Sequence, residues 1–198
     1  MKEQLQKDFD NIIKDLSLSQ KDIEIKKFFL DNFINKGFPN KKEEDWKFSD
    51  LNQIIKRNIG ELSFYNDYKS TNKVDTSIFV DGLEHNKIVF INGRIEKIDF
   101  DYEKKDQIEI IDQSETINEF NNNSLSDLNN AFTNKSFKIL VKEGYRLAKP
   151  LIVYHTTNAK IWSKNINLRL DFELNKDSSL RIVDLFNDTS EKNFLNIF

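Results

Sequence analysis

The sequence predicts a mixed α and β protein, with a helical N-terminal part leading into a β-rich remainder. From Met1 to Gly60 the apolar positions recur at spacings of three and four, as on one face of a helix. From Phe137 onward, five apolar stretches begin at Phe137, Leu151, Ile166, Leu180 and Phe194, a nearly even spacing that suggests a solenoid. Between the two parts, Ile88 to Ile91, Asn92-Gly93 and Arg94 to Phe100 form the strongest hairpin signal. A type I′ turn needs positive φ at both central residues, and Asn-Gly supplies it.

The chain of 198 residues can bury about 70% of its unfolded surface without a covalent staple. Hydrophobic residues make up 38% and charged residues 32%, the balance of a folded protein rather than a disordered one. The net charge is -3 with both signs interspersed, so no phosphate-tracking or anionic-membrane surface is indicated and nucleic acid is not an expected partner. No apolar run approaches a membrane span and MKEQLQKDFD lacks the apolar core of a signal peptide, so a cytoplasmic protein is expected. There is no cysteine, hence no disulfide and no thiolate ligand for a metal or cluster within the chain.

Taken in order, Leu5, Phe9, Ile12, Ile13 and Leu16 mark a first amphipathic helix, interrupted at Ser17 to Gln20. Ser19 with Asp22 resembles a capping box, and Ile25, Phe28, Phe29, Leu30 and Phe33 carry a second helix, expected to fold back on the first as a hairpin. Gly37 and Pro39 end it near Lys36. Glu43, Glu44 and Asp45 then precede Trp46 and Phe48; Trp46 is expected to anchor the turn in a core. Ser49 is the expected N-cap of a third helix starting at Asp50, with Leu51, Ile54 and Ile55 as its apolar face.

Residues 61–75 are polar and without period, which divides the chain into a helical domain at 1–60, a linker at 61–75 and a β-domain at 76–198. Ser77 to Val80 is expected as a short strand before the hairpin. Residues 112–136 return to helix-like signals, with Leu125, Leu128, Ala131 and Phe132 on one side of a short connector helix behind an Asn-rich loop. In the β-part, Ile166 to Leu174 alternates apolar with Asn167, Arg169, Asp171 and Glu173, so one face is expected buried and the other solvated. Turns fall at Gly144 and at Asn175 to Ser179. Periodicity leaves an antiparallel sandwich and a parallel β-helix equally open.

Chemistry-bearing patterns are sparse. His85 and His155 have no second ligand at metal spacing, and a lone strand histidine such as His155 is more often packed than catalytic. Asp171 and Glu173 share one strand face at i, i+2, an arrangement usually no more than a solvated face. With no phosphate loop, nucleophile elbow or catalytic cysteine, no catalytic, cofactor-binding or metal residue is assigned.

Four stretches carry a resemblance. Phe38 to Leu51, FPNKKEEDWKFSDL, resembles the N-terminal signature of the SufD branch of the SufB/SufD family; Val89 to Arg94 and Leu128 to Phe132 resemble family elements, and Lys149 to His155 looks like an early strand of its β-core. The resemblance implies a helical N-terminal domain followed by the first coils of a flattened right-handed parallel β-helix. It also implies a non-catalytic scaffold subunit that builds iron-sulfur clusters with a SufB-like subunit and the SufC ATPase, with no cofactor bound by this chain. Members of that family continue through further coils and a C-terminal domain, so a truncated solenoid is expected here, with Phe194 to Phe198 as an exposed apolar end through which the chain self-associates. The alternative is a β-helix carbohydrate-active enzyme or binding module, which would be expected to carry a secretion signal and a carboxylate-lined groove.

Overall fold

The computed structural model describes residues 2–16, 18–60, 63–64, 73–113, 123–133, 136–157, 161, 163–188 and 193–197. Among them are four α-helices and two β-sheets, a mixed α/β architecture. The helices are α1 (Lys2–Asp15), α2 (Gln20–Lys36), α3 (Leu51–Asn58) and α4 (Ser124–Phe132). Ser19 caps α2, its hydroxyl oxygen accepting from the Asp22 N–H at 3.2 Å, and Gly37 closes the helix at φ 75° with its N–H on the Phe33 carbonyl.

The expected cap of α3 is displaced by one residue. Asp50, not Ser49, accepts from the Gln53 N–H at 3.1 Å, and the helix begins at Leu51. The Leu51 N–H is held by the Pro39 carbonyl at 3.2 Å, which sets where the helix starts.

A first core gathers Leu5, Phe9 and Ile12 of α1, Phe29, Leu30 and Phe33 of α2, and Leu51 and Ile55 of α3. It continues into Phe64 and into Leu128, Ala131 and Phe132 of α4. Phe28 is excluded and 47% exposed, because the face that meets α4 is already filled by Phe29, Leu30 and Phe33. The expected α1–α2 hairpin is replaced by a different pairing: α2 packs chiefly along α4, and α1 touches α4 and the short strand β1 (Ser63–Phe64). Phe64 stacks on Phe132 with ring centres 3.7 Å apart. The first core therefore joins α1, α2 and α3 to Phe64 and α4.

The remaining strands are β2 (Asn86–Ile91), β3 (Arg94–Asp99), β4 (Ile108–Gln113), β5 (Ser136–Val141), β6 (Leu151–Thr157), β7 (Lys164–Leu174), β8 (Ile182–Asp188) and β9 (Phe194–Ile197). One sheet has the order β1-β7-β5-β4 with β9 also on β7; the other is β3-β2-β6-β8. From β5 onward the chain alternates between the sheets, and β7, β8 and β9 each pair in parallel with the strand two before. Ser136 lies opposite Arg169, Leu151 opposite Ile182 and Asn165 opposite Phe194, so a similar length of chain separates the partners in each pair. A second core of Ile88, Phe90, Ile139, Val141, Leu151, Val153 and Leu168 fills the space between the sheets.

The Asn-Gly turn forms with Asn92 at φ 54° and Gly93 at φ 77°, joining the antiparallel pair β2 and β3. Ser77 to Val80 is not a strand: Thr76–Ile78 is a short 3-10 turn capped by the Asp75 carboxylate, and Val74, Ile78 and Phe79 lie on the outer face of the second sheet. The segment read as helix-like from residue 112 begins as strand, because Ile108–Gln113 pairs antiparallel with β5. The rest of that segment to residue 122 lies outside the described residues. The polar face of β7 is buried rather than solvated at Asn165, Asn167 and Arg169, since α4 lies over it.

Candidate functional site

Parallel register places Phe90 of β2, His155 of β6 and Phe186 of β8 side by side across three strands. Their rings stack, with centres 5.4 Å apart for Phe90 and His155 and 4.8 Å apart for His155 and Phe186. Asp184, two positions before Phe186 and so on the same face, accepts from His155 Nε2 at 3.1 Å. That bond assigns the neutral ring its proton on Nε2 and leaves Nδ1 as a buried lone pair with no partner among the described residues. Burial pushes the imidazole pKa down, and the Asp184 carboxylate opposes it. A proton acceptor must be reachable by its donor, and this lone pair is enclosed.

His85 is on the opposite side of the sheet. Its Nδ1 donates to the Leu83 carbonyl at 2.6 Å, and its Nε2 accepts from the Tyr154 hydroxyl at 2.7 Å. The same hydroxyl accepts from the Val80 N–H at 3.1 Å, pinning residues 74–85 against β6. Since Tyr154 and His155 are successive strand residues, their side chains point to opposite faces, and the two histidines do not meet. Among the described residues no group of three or more His, Asp or Glu is placed to hold a metal ion. Asp171 and Glu173 are each paired with a cation, Arg169 at 3.1 Å and Lys138 at 2.6 Å.

The polar side chains that the sequence reading passed over form a clamp between α4 and the sheet. Asn129 Nδ2 donates to the carbonyls of Leu168 at 3.0 Å and Asn196 at 2.7 Å. Asn196 Nδ2 answers on the Leu125 carbonyl and Asn167 Oδ1, and Asn167 Nδ2 bonds Asn165 Oδ1. At the N-terminal end of α4, Lys36 pairs with the buried Asp127 at 2.8 Å. The only sequence signal was a set of asparagines in alternating strands and a short helix, which reads equally as solvated.

Exposed apolar side chains also gather on β8, an edge strand of its sheet among the described residues. Ile182 and Phe186 sit opposite the buried Leu151 and His155 on the inward face, yet they are 39% and 63% exposed; Leu174 of β7 is 48% exposed. Such a strand offers unpaired backbone groups and apolar side chains to an added strand. The exposed end expected at Phe194 to Phe198 is not found at β9. Phe194 packs on the first core and edge-on to Phe38 and Asn196 is buried against α4, while Leu195 and Ile197, on the other strand face, are half-buried beside Phe90 and His155. Phe198 lies outside the described residues.

No protein-family model and no curated protein matches the sequence. Among the described residues no helix is long and apolar enough to cross a membrane.

Proposed function

We propose that the chain is a SufD-like, non-catalytic scaffold subunit of iron-sulfur cluster assembly that works in the cytoplasm with a SufB-like subunit and the SufC ATPase. The observation that carries this reading is the parallel pairing of β5 with β7, β6 with β8 and β7 with β9, with the chain crossing between sheets at each step and a similar length of chain in each circuit. This supports a right-handed parallel β-helix, the preferred hand for parallel crossover connections. The helical part carrying FPNKKEEDWKFSDL stands before it, in the order that the resemblance implies.

In this reading β8 is where a further strand, from a SufB-like partner or another coil, adds to the sheet. The chain itself holds no cluster, since clusters are bound mainly through thiolates and the sequence has no cysteine. A polysaccharide-cleaving groove gains no support, because Asp171 and Glu173 are both held in ion pairs.

The test is co-expression of the tagged chain with the SufB-like subunit and SufC of the same genome. Stoichiometric co-elution with the SufB-like subunit, lost on Phe186→Asp, is expected. Elution of the chain alone while the other two associate without it refutes the proposal.

A further inference from the structure

His155 lies beneath the least covered strand of the second sheet. The row that it shares with Phe90 and Phe186 ends on β8, where Ile182, Asp184 and Phe186 alternate along the inner face. Asp184 stands opposite Val153, and Val153 opposite Ile88, so this carboxylate completes a row whose other members are apolar and fully buried. It is tolerated there because half of its side chain meets water and His155 Nε2 donates to it at 3.1 Å. On the outer face Val183 is 45% exposed, and Leu185 packs on the cluster around Tyr154. Apart from that contact, β8 is held by its parallel ladder to β6, by the ring stack and by the His155–Asp184 bond.

A neutral imidazole carries one N–H and one lone pair, whereas its cation carries two N–H groups. The neutral ring suits the closed strand, with its N–H on Asp184. The cation places a second donor at Nδ1, which is buried and meets no acceptor among the described residues. A buried donor left unpaired costs about 1 to 3 kcal/mol. Once β8 moves away, water reaches the ring and removes that cost.

The charges nearby do not offset it. β6 and β9 carry none, and the side chains across the core from the ring are Ile166, Leu168, Leu195 and Ile197. On β7, Lys164 is turned to the Ser63 hydroxyl at 2.8 Å, while Arg169, Asp171 and Glu173 alternate with the inward residues and pair on the outer face. Lys87 of β2 lies on the outer face with Asp99, and Arg94 of β3, opposite Ile91, pairs with Glu96 at 3.8 Å. On β8 itself Arg181 precedes the strand and is exposed, and Asp188 lies opposite Thr157. His85 and Tyr154 occupy the other side of the sheet. Asp184 is thus the one charge in contact with the ring among the described residues.

We infer that β8 is an acid-released edge: proton uptake by His155 detaches residues 182–188 from β6 while the rest of both sheets stays folded. The release is bounded by firm neighbours. The turn before β8 is tied to the preceding one by the Ser179 N–H on the Tyr145 carbonyl and the Leu147 N–H on the Ser179 carbonyl, both at 3.1 Å, and β9 is held by β7 and α4. Burial, the larger influence, outweighs the carboxylate and leaves the closed ring's pKa below its ordinary value. The released ring therefore binds its proton more readily. Closure weakens as pH falls below about 6.5, by at most about tenfold per unit, and is unaffected above it. Where a partner strand adds to β8, as proposed above, acid withdraws the edge that receives it. That consequence alone rests on the proposed function; the release is tested on the chain by itself.

Amide hydrogen exchange of the whole chain, read by mass spectrometry from pH 7.5 to 5.0 with exchange times scaled to the intrinsic rate, follows the opening strand by strand. Peptides covering residues 182–187 are expected to lose protection about three- to tenfold between pH 7.0 and 5.5, while those covering β2 and β5 keep theirs. His155→Phe keeps a ring in the stack and His155→Gln keeps a donor for Asp184; neither titrates, and both are expected to show no such loss. Asp184→Asn removes the carboxylate that favours the cation in the closed strand and is expected to deepen the loss at pH 5.0. In the wild-type chain, the imidazole nitrogen resonances of His155 are expected to report the Nε2–H form at pH 7.5 and to titrate together with the β8 amides. Constant protection of β8 in wild type, an equal loss in both His155 variants, a loss shared equally by β2 and β5, or titration of the ring without change in β8 overturns the inference.

Discussion

Lys26 of α2 reaches the C-terminal turn of α4, where its Nζ donates to the main-chain oxygen of Thr133 at 2.7 Å. A second bond goes to the Asn130 carbonyl at 3.2 Å. The ammonium thus meets two carbonyls left over at a helix end, where a positive charge is also favoured by the helix dipole. Burial nevertheless dominates: it pushes the Lys26 pKa down to about 8 against the attraction of Asp22.

The folded-state pKa is therefore below that of the unfolded chain, and between about pH 8 and 10.4 the unfolded chain binds more protons. Below this window Lys26 is charged in both states and contributes no slope; through it, stability rises with pH. Urea unfolding of wild type and Lys26→Met should show the wild type gaining about 2 to 3 kcal/mol relative to the variant between pH 7.5 and 10.5. A difference that stays flat over that range would contradict the buried-ammonium account.

Glu103 gives the opposite sign. Its carboxylate accepts from Asn86 Nδ2 at 2.8 Å, the Tyr145 hydroxyl at 2.7 Å, and the N–H groups of Ala148 and Lys149 at 3.0 Å. Burial acts to raise its pKa, but these four donors outweigh it and the net shift is downward. Stability from this latch is present above the unfolded value of about 4.3 and is lost as pH falls through the folded value. Glu103→Gln should cost about 1 to 3 kcal/mol at neutral pH and flatten the acid limb of the unfolding curve. An acid limb identical to wild type would place the pH dependence elsewhere.

At the hairpin, Gly93 is needed twice over. Its φ of 77° disfavours any side chain, and a Cβ there would stand 2.5 Å from Ile166 Cγ2 on the facing sheet. Gly93→Ala should destabilise by about 2 to 4 kcal/mol, combining backbone strain with overpacking. Thermal melts check this, and an unchanged Tm would mean that β7 moves aside freely.

Trp46 and Phe48 should respond very differently to truncation although they are near neighbours in the chain. Trp46 is half-buried against the first core, so Trp46→Ala should cost about 2 kcal/mol, below the roughly 3 to 5 kcal/mol of a fully buried aromatic. Phe48→Ala should change the stability of the isolated monomer by less than about 0.5 kcal/mol, as its ring stands in water. Equal losses in dilute denaturation experiments would refute the packing described for the turn.

Features set by neighbours in the chain were legible beforehand. Gly37 and Ser19 act at the ends of α2 as their conformational and hydrogen-bonding preferences require, and Asn92-Gly93 turns the hairpin. The strand periods from Phe137 appear close to their expected starts, at Ser136, Leu151, Lys164, Ile182 and Phe194. Two strands escaped notice. Ser63–Phe64 is too short to show a period, and Ile108–Gln113 is defined by pairing with β5 rather than by its own pattern. Of the residues weighed for chemistry, His155 was visible as a lone histidine, but its stack with Phe90 and Phe186 depends on register across three strands.

Sequence alone determined the helical beginning, the alternating β-part, the hairpin turn and the lack of thiolate chemistry, because each depends on local dihedral preference, periodicity or composition. Tertiary structure decided which strands pair and in which direction, and it buried Lys26, Asn129, Asn165, Asn167 and Asn196. It also left Phe48 and Phe186 in solvent. The reason is physical: a polar side chain is stable inside only when a distant segment supplies its partner, and an apolar one is buried only when a distant segment covers it. Here α4 supplies and covers for β7 and β9, and no period along the chain encodes that helix's place across the sheet.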